Sequence, residues 1–316
     1  MKLVTCLCPA QPRRQRLGMV VERDGASFVL DLTRTRAWAF PNSSHAPIPN
    51  DMLTFIRHGA KGFALARRVM ATALDRWDEL PLGAATPLEK VPLAAPIPRP
   101  GKIICPGMNF RKHLEETSGR DAPNPEFPLG FFKMPSCVVG TNAPITIPPW
   151  TQKLDYEVEM AVVMGAGGTN IPRERALEHV AGYTILNDVS ARDVQLGEMK
   201  KGFLALGKNF PGSCPMGPYL LTADELTDPH TLSMELRVNG ELRQQGHTND
   251  LIYGFADLIA YWSRIGLEPG DVIASGTPSG VALGKEPDTS WYLKPGDVME
   301  ATIERLGTLR NPIATK

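Results

Sequence analysis

The chain has 316 residues, with 34 Lys and Arg against 34 Asp and Glu, and this even balance excludes a generic nucleic-acid or polybasic membrane binder, which needs a cationic surplus to displace counterions. Hydrophobic residues make up 42% and charged residues 22%, enough apolar matter for a core, which excludes disorder as the main state. Gly and Pro, at 29 each, exceed ordinary usage and predict many turns between many short strands.

Residues 1–8 hold one Lys and a few apolar side chains before Pro9 and the basic run Arg13, Arg14, Arg16, too short an apolar stretch for a signal peptide. A hairpin is predicted from 18–22 and 27–32, turned at Asp24-Gly25, two residue types that tolerate positive φ. Helices are predicted over 51–57 and 63–80, the second with Leu65, Val69 and Leu74 as its apolar stripe. Prolines at 81, 87, 92, 96, 98 and 100 then exclude a helix or a central strand. The expected organisation is a small N-terminal domain over 1–80, a Pro-rich linker over 81–100 and a larger domain over 101–316.

From Gly101 the chain reads as short strands divided by turns. Strands are predicted at 102–105, 130–133, 154–164, 183–188, 234–239, 241–245, 272–275 and 298–303, with Asn239-Gly240 as a hairpin turn. Helices are predicted over 172–180, opened by Pro172, and over 249–265. The latter has Asn249 as cap, an apolar set of Leu251, Ile252, Phe255, Leu258, Ile259 and Trp262, and Gly266 as stop. Strands and helices do not alternate regularly, so a mixed, β-rich α+β core is expected rather than a doubly wound sheet. The five cysteines, Cys6, Cys8, Cys105, Cys137 and Cys214, show no C-x-x-C pair or regular spacing, which favours a reducing, cytoplasmic compartment. No run of about 18 apolar residues occurs, so no membrane span is expected.

The chemistry gathers in three places. In 154–164, strand alternation puts Tyr156, Val158, Met160 and Val162 on one face and Asp155, Glu157 and Glu159 on the other. Glu157 and Glu159 repel each other on that face, and the strand continues as apolar Ala161-Val162-Val163-Met164, so something positive should sit between them; the alternative is a solvated edge with two surface glutamates. Asp188 closes the next apolar strand ahead of a helix start at Ser190, which could be capped with Asp193 three residues on, although Asp188 alone also reads as a turn residue. Three carboxylates with no imidazole at metal spacing select a hard divalent cation, Mg²⁺ first, with Mn²⁺ or Ca²⁺ as alternatives.

The third place is residues 106–116, where Glu116 follows His113 by three, so on a helical turn the carboxylate can orient the imidazole as a water-activating base. A surface ion pair is the alternative. Arg192 and Lys208 could hold a substrate carboxylate or be solvated charges. The loop 276–280, Gly-Thr-Pro-Ser-Gly, could offer backbone amides and the Thr277 hydroxyl or be a plain turn.

In this order the motifs resemble the fumarylacetoacetate hydrolase family from Gly101 to about Pro312. They are Lys102-Ile103-Ile104-Cys105 into Gly107-Met108-Asn109-Phe110, Asp155-Tyr156-Glu157-Val158-Glu159, and Asn187-Asp188-Val189-Ser190-Ala191-Arg192-Asp193. Gly207-Lys208, Cys214-Pro215-Met216-Gly217-Pro218, Val238-Asn239-Gly240, Gly276-Thr277-Pro278-Ser279-Gly280 and Leu306-Gly307-Thr308-Leu309 follow. The resemblance implies a mixed β-sandwich roll, usually a homodimer, with a smaller N-terminal α+β domain. It implies Glu157, Glu159 and Asp188 as metal ligands and His113 with Glu116 as a water-activating dyad on a lid. Lys208 is expected in a catalytic role, and Arg192, Gln195 and Thr277 in substrate contact. Phe110 in place of a common Tyr, Lys112 in place of an acidic residue, and the run 209–212 depart from the family pattern around the pocket.

A divalent ion held by three carboxylates can chelate two oxygens of a 2-oxo acid or 1,3-diketone and stabilise the enolate that forms when a neighbouring bond breaks. The expectation is therefore a metal-dependent hydrolase of a carbon–carbon bond in a small diketo or 2-oxo acid, an acylpyruvate or a fumarylacetoacetate-like compound. The alternatives are an isomerase or decarboxylase of 2-oxo or 2-hydroxymuconate-type diacids in aromatic catabolism, and a non-catalytic binder of small acids.

Overall fold

The computed structural model describes residues 1–8, 11–42 and 47–314; the side chains of Cys8, Gln11, Pro12, Arg13 and Arg14 lie outside the described residues. One large sheet runs in spatial order Ala85–Pro87, Ala26–Asp31, Gln11–Arg23, Lys2–Cys8, Cys214–Thr222, Val180–Asn187, Val158–Met164, Val272–Ala274, Ile103–Pro106 and Gly130–Lys133. Along this path its pairings are antiparallel except that of Val272–Ala274 with Ile103–Pro106. A second sheet orders Glu241–His247, Ser233–Val238, Val298–Ile303, Gly307–Ala314 and Ile145–Thr146.

The two sheets share one core. Val158, Met160, Val162, Tyr183 and Ile185 of the first pack with Met234, Leu236, Met299, Ala301 and Ile303 of the second. The opposite face of the large sheet, with Ala161, Val163 and Leu186, packs in a further core with Ala66, Val69 and Ala73 of the helix Gly59–Asp75. Strand Val158–Met164 lies between two apolar layers and is buried at every residue, so both of its faces are apolar beyond Glu159. This mixed α+β, sheet-rich architecture agrees with the sequence expectation. Residues of the Pro-rich stretch contribute the edge strand Ala85–Pro87, which pairs with Ala26–Asp31, an edge being where proline is tolerated.

Local chemistry explains the turns. Asp24 and Gly25, at φ 50° and 78°, close the first hairpin, and Asn239 and Gly240, at φ 52° and 81°, close the second, the left-handed pair a two-residue turn requires. Asp51 accepts from Thr54 N–H and caps Met52–Arg57.

Four element predictions are corrected. The helix Gly59–Asp75 buries Gly62, Ala66, Val69 and Ala73, while Leu74 points outward at 38% exposure. Residues Arg173–His179 form 3₁₀ turns rather than an α-helix. The long helix predicted from Asn249 starts only at Phe255 and ends at Trp262, because Leu251 forms a bridge with Phe110 and Ile252 N–H donates to Asn109 C=O at 2.7 Å, pulling that stretch into extended pairing. Ser190 is not a cap: the helix Arg192–Met199 begins after Ala191, and the Ser190 hydroxyl donates to Asp188 C=O.

Candidate active site

The predicted strand 154–164 is split, into Leu154–Asp155 and Val158–Met164. At the gap the side chain of Asn187 replaces a ladder partner, its Oδ1 accepting from Glu157 N–H at 2.9 Å. Val158 faces Asn187 across the sheet, and one step further Asp188 N–H donates to Glu157 C=O at 2.9 Å. Glu157, Glu159 and Asp188 therefore converge, each offering a carboxylate oxygen within 4.8 Å of the others. They are 5%, 1% and 1% exposed, which removes the solvated-edge alternative.

The positive charge expected between them is present as three buried cations. Lys208 Nζ donates to Glu157 Oε2 at 2.8 Å and to Asp188 Oδ2 at 2.6 Å. Lys133 Nζ donates to Asp188 Oδ1 at 2.6 Å and to Lys208 C=O. Arg192 donates to Glu157 Oε1 at 2.6 Å, to Asp155 Oδ2 at 2.7 Å and to Gln195 Oε1 at 2.9 Å. Burial pushes the Glu157 carboxyl up, but Lys208 and then Arg192 prevail and hold it down at about 2. Burial likewise opposes the charge on Lys133, yet Asp188 beside it leaves that ammonium above its usual range.

Glu159 is different. Its hydrogen bond comes from Gly276 N–H, at 2.9 Å to Oε2, and among the described residues no basic side chain pairs with it. Burial first, then the neighbouring Asp188 and Glu157, raises its pKa well above the carboxylate range. With Asp155 included, four buried carboxylates face three buried cations, so the cluster lacks positive charge at Glu159. An all-oxygen donor set short of positive charge fits a hard divalent cation, and these three residues are the ones that could hold it.

The loop 276–280 links this cluster to the helix Arg111–Ser118. Gly276 at φ 81° aims its N–H at Glu159, and Gly280 at φ 105° donates to Oε1 and Oε2 of Glu116 at 3.1 and 3.2 Å. Glu116 Oε2 in turn lies 3.3 Å from His113 Nδ1. The predicted i, i+3 pair is thus formed and anchored, with side-chain exposures of 13% and 15%, in place of the surface ion pair.

A cavity of about 390 Å³ joins these groups. His113, Glu157, Glu159, Asp188, Arg192, Gln195, Lys208 and Thr277 all line it, and Glu116 stands behind His113. Two residues expected to bind substrate are already engaged. Arg192 braces Asp155, Glu157 and Gln195, and the Thr277 hydroxyl donates to Val158 C=O at 2.9 Å while accepting from Gln244 Nε2 at 2.8 Å.

Residues 102–314 match the family described as fumarylacetoacetate (FAA) hydrolase C-terminal. The chain belongs to this family. It is 40% identical over 303 residues to the oxaloacetate tautomerase YisK of Bacillus subtilis, covering 95% of this chain and 96% of that protein. It is also 40% identical over 273 residues to a mitochondrial oxaloacetate tautomerase of Bos taurus, covering 86% and 82%. Among solved structures, maleylpyruvate hydrolase from Sphingobium superposes over the whole of both chains at 29% identity with a TM-score of 0.74.

In this fumarylacetoacetate hydrolase family member, sequence reading missed two residues of the cluster. Lys133, 2% exposed, closes the apolar run Gly130–Lys133, and a lysine at a strand end ordinarily reaches for solvent; the unmet charge of three carboxylates was the signal for an inward cation. Asp155, fully buried, accepts from Arg192 and from the N–H groups of Tyr156, Ala282 and Leu283, so it holds the arginine rather than a ligand.

Proposed function

We propose that the protein catalyses proton transfer at the carbon beside the keto group of a small 2-oxo acid, interconverting keto and enol forms. Oxaloacetate is the first substrate to test, since two relatives at 40% identity carry the name oxaloacetate tautomerase. The observation that carries the reading is the carboxylate cluster, short of positive charge at Glu159, opening on the same cavity as the His113–Glu116 pair. Mg²⁺ held by Glu157, Glu159 and Asp188 would draw electron density toward the 2-oxo oxygen and so acidify the neighbouring C–H. With Nδ1–H directed to Glu116, His113 keeps the Nε2 lone pair to take the proton from C3. Lys208 spends two of its three N–H bonds on Glu157 and Asp188 and stands over the Phe131 ring, and its third N–H would turn to the enol oxygen to protonate it. Solvent then returns His113 and Lys208 to their starting states.

Hydrolysis of a carbon–carbon bond, the first expectation from sequence, is the second reading, and it rests on the same dyad activating a water. The test follows the ultraviolet absorbance of enol oxaloacetate with the Mg²⁺-loaded protein, with and without EDTA, and with His113→Gln. Enol decay that stops with EDTA and falls sharply in the variant supports the reading. Chelator-insensitive decay ends it, and pyruvate-type cleavage products from acylpyruvates would put hydrolysis first.

Three further elements belong to this proposal. A homodimer is supported by the exposed apolar side chains Phe132, Met134, Phe203 and Leu206, and elution at monomer mass would remove it. Residues 1–80 act as an accessory unit, consistent with a cavity lined only from Pro106 onward. A cytoplasmic site is consistent with the four cysteines that are unpaired among the described residues, and no helix among those residues is long and apolar enough to cross a membrane.

A further inference from the structure

We infer that Gln244, a buried residue of the second sheet, is a positioning residue that fixes the spacing of Glu157 and Glu159 and the path of the loop 276–280. The inference rests on the enolisation reading for the reaction served, while the geometry stands apart from it. It starts at one edge of the strand Val158–Met164, which pairs with Val272–Ala274 through Ala161 and Ala274. Continuing that register would set Met160, Glu159 and Val158 opposite Ser275, Gly276 and Thr277. The backbone turns away instead, and side chains take its place in the ladder. Ser275 Oγ accepts from Met160 N–H at 3.0 Å, the Thr277 hydroxyl donates to Val158 C=O at 2.9 Å, and Gln244 Oε1 accepts from Val158 N–H at 2.9 Å. The turn at Gly276, φ 81°, meanwhile aims its N–H at Glu159 Oε2.

Gln244 reaches this point from the strand Glu241–His247, where it pairs with Leu236, and it is 1% exposed. Its Nε2 donates to Thr277 Oγ1 at 2.8 Å and to Pro278 C=O at 2.9 Å, so its oxygen and both N–H groups are committed. One carboxamide therefore joins the residue between Glu157 and Glu159 to the middle of a loop whose ends hold Glu159 and Glu116. A displaced Val158 peptide moves both of its acidic neighbours, and a displaced Pro278 moves the N–H groups of Gly276 and Gly280. The loop is seated directly on the same strand: a Cβ added at Gly246 would lie 2.5 Å from Pro278 Cβ. A buried carboxamide with every polar group satisfied is a rigid link. Its removal leaves Val158 N–H and Pro278 C=O without the partners it supplies, in a setting that water does not reach.

The test uses the full chain and Gln244→Met, which keeps the length of the side chain and removes its three hydrogen bonds. Isothermal titration should show the Mg²⁺ Kd rising about tenfold or more, and kcat on enol oxaloacetate falling by about tenfold or more, the usual effect of losing a group that orients metal ligands. In the metal-free protein, amide hydrogen exchange read by mass spectrometry should accelerate in the peptides covering 156–160 and 276–280. Leu236→Ala is the comparator: it opens a cavity at the ladder partner of Gln244 and should lower the melting temperature without these changes. Thr277→Val, which removes the hydroxyl alone, should reproduce them in smaller measure, and Thr277→Ser should restore the parent values. Equal losses of Mg²⁺ affinity and kcat in Gln244→Met and Leu236→Ala overturn the inference, as do parent-like Mg²⁺ affinity and amide exchange in Gln244→Met. If Gln244→Met does not fold, the Thr277 pair decides, and a Thr277→Val protein that matches the parent in both readouts overturns it. A parent chain that binds Mg²⁺ yet enolises no 2-oxo acid ends the enolisation reading, and the titration and amide exchange still decide the role of Gln244.

Discussion

Asp188 N–H donates to Glu157 C=O at 2.9 Å, and this single backbone bond sets two carboxylates from different strands side by side. It lies just past the last regular pair of the ladder, Val158 with Asn187, where the strand has opened and side chains are no longer obliged to alternate. The acidic cluster is thus a product of strand termination: inside the sheet Glu157 would compete with apolar neighbours, whereas at its end it meets Lys208 and Arg192.

Glu159 is the carboxyl that no cation pairs with among the described residues and whose pKa burial, Asp188 and Glu157 raise, so folding above its unfolded pKa must protonate it at a cost. Glu159→Gln removes that cost while Gly276 N–H keeps its acceptor, and should stabilise the metal-free protein near neutral pH by on the order of 1–2 kcal/mol. The same variant should lose most of the rise in melting temperature expected from Mg²⁺ in the unaltered chain, a rise worth about 2.7 kcal/mol at a hundredfold excess over Kd. Differential scanning calorimetry with EDTA and with Mg²⁺ reads both. An undiminished Mg²⁺ response in Glu159→Gln would remove this residue from the ion site.

Lys133→Met should be among the most damaging substitutions in the chain. It leaves Asp188 Oδ1 without the Lys133 donor in a fully buried setting, and Lys208 C=O with the Ser213 hydroxyl alone, and breaking one side of such a pair costs about 3–5 kcal/mol. Lys133→Arg retains charge but not the room for it, so it should recover only part of the loss. Urea unfolding of both proteins gives the answer, and a Lys133→Met curve superimposable on the parent would show that this ammonium holds nothing.

The contrast between Lys133 and Glu157 marks what the sequence made legible. Glu157, Glu159, Asp188 and the His113–Glu116 spacing carry local signatures, two acids on one strand face or an acid one helical turn from an imidazole, and the hairpin turns at Asp24-Gly25 and Asn239-Gly240 do too. Lys133 carries none, because its partner Asp188 is distant in sequence and reached only once the strands are ordered. Arg192 was legible as a charge near the site but not as a brace, since Asp155 looked like one more acid of the same face. Residues 249–254 misled for the opposite reason: their apolar spacing suits a helix, yet pairing of Leu251 with Phe110 outweighs it.

The thiols should be inert in the folded protein. Burial, with Asp31 adding to it and Arg16 opposing, pushes Cys6 up to about 12, and burial also raises Cys105 and Cys214. A thiol at about 12 is ionised at pH 8 in only about one molecule in ten thousand, so alkylation through the thiolate falls by about three orders of magnitude from that of a free cysteine. Peptide mapping after iodoacetamide treatment at pH 8 should find these three unlabelled in the native protein and labelled in urea. Rapid native labelling of Cys6 would contradict the assignment.

Gly280→Ala should separate the anchoring of Glu116 from the ion site. At φ 105° an added Cβ would lie 2.2 Å from Arg243 C=O, so the backbone must move, at a cost of about 1–3 kcal/mol for the strained conformation. That movement withdraws the N–H that holds both oxygens of Glu116, and with it the orientation of His113. Gly276 and its bond to Glu159 stand at the other end of the loop, so Mg²⁺ affinity should persist while kcat falls by up to about a hundredfold, the penalty of a misplaced base. Isothermal titration with Mg²⁺ alongside steady-state rates distinguishes the two effects. If kcat holds while the melting temperature drops, the Gly280–Glu116 bond serves the fold alone, and the base must be oriented by something other than Glu116.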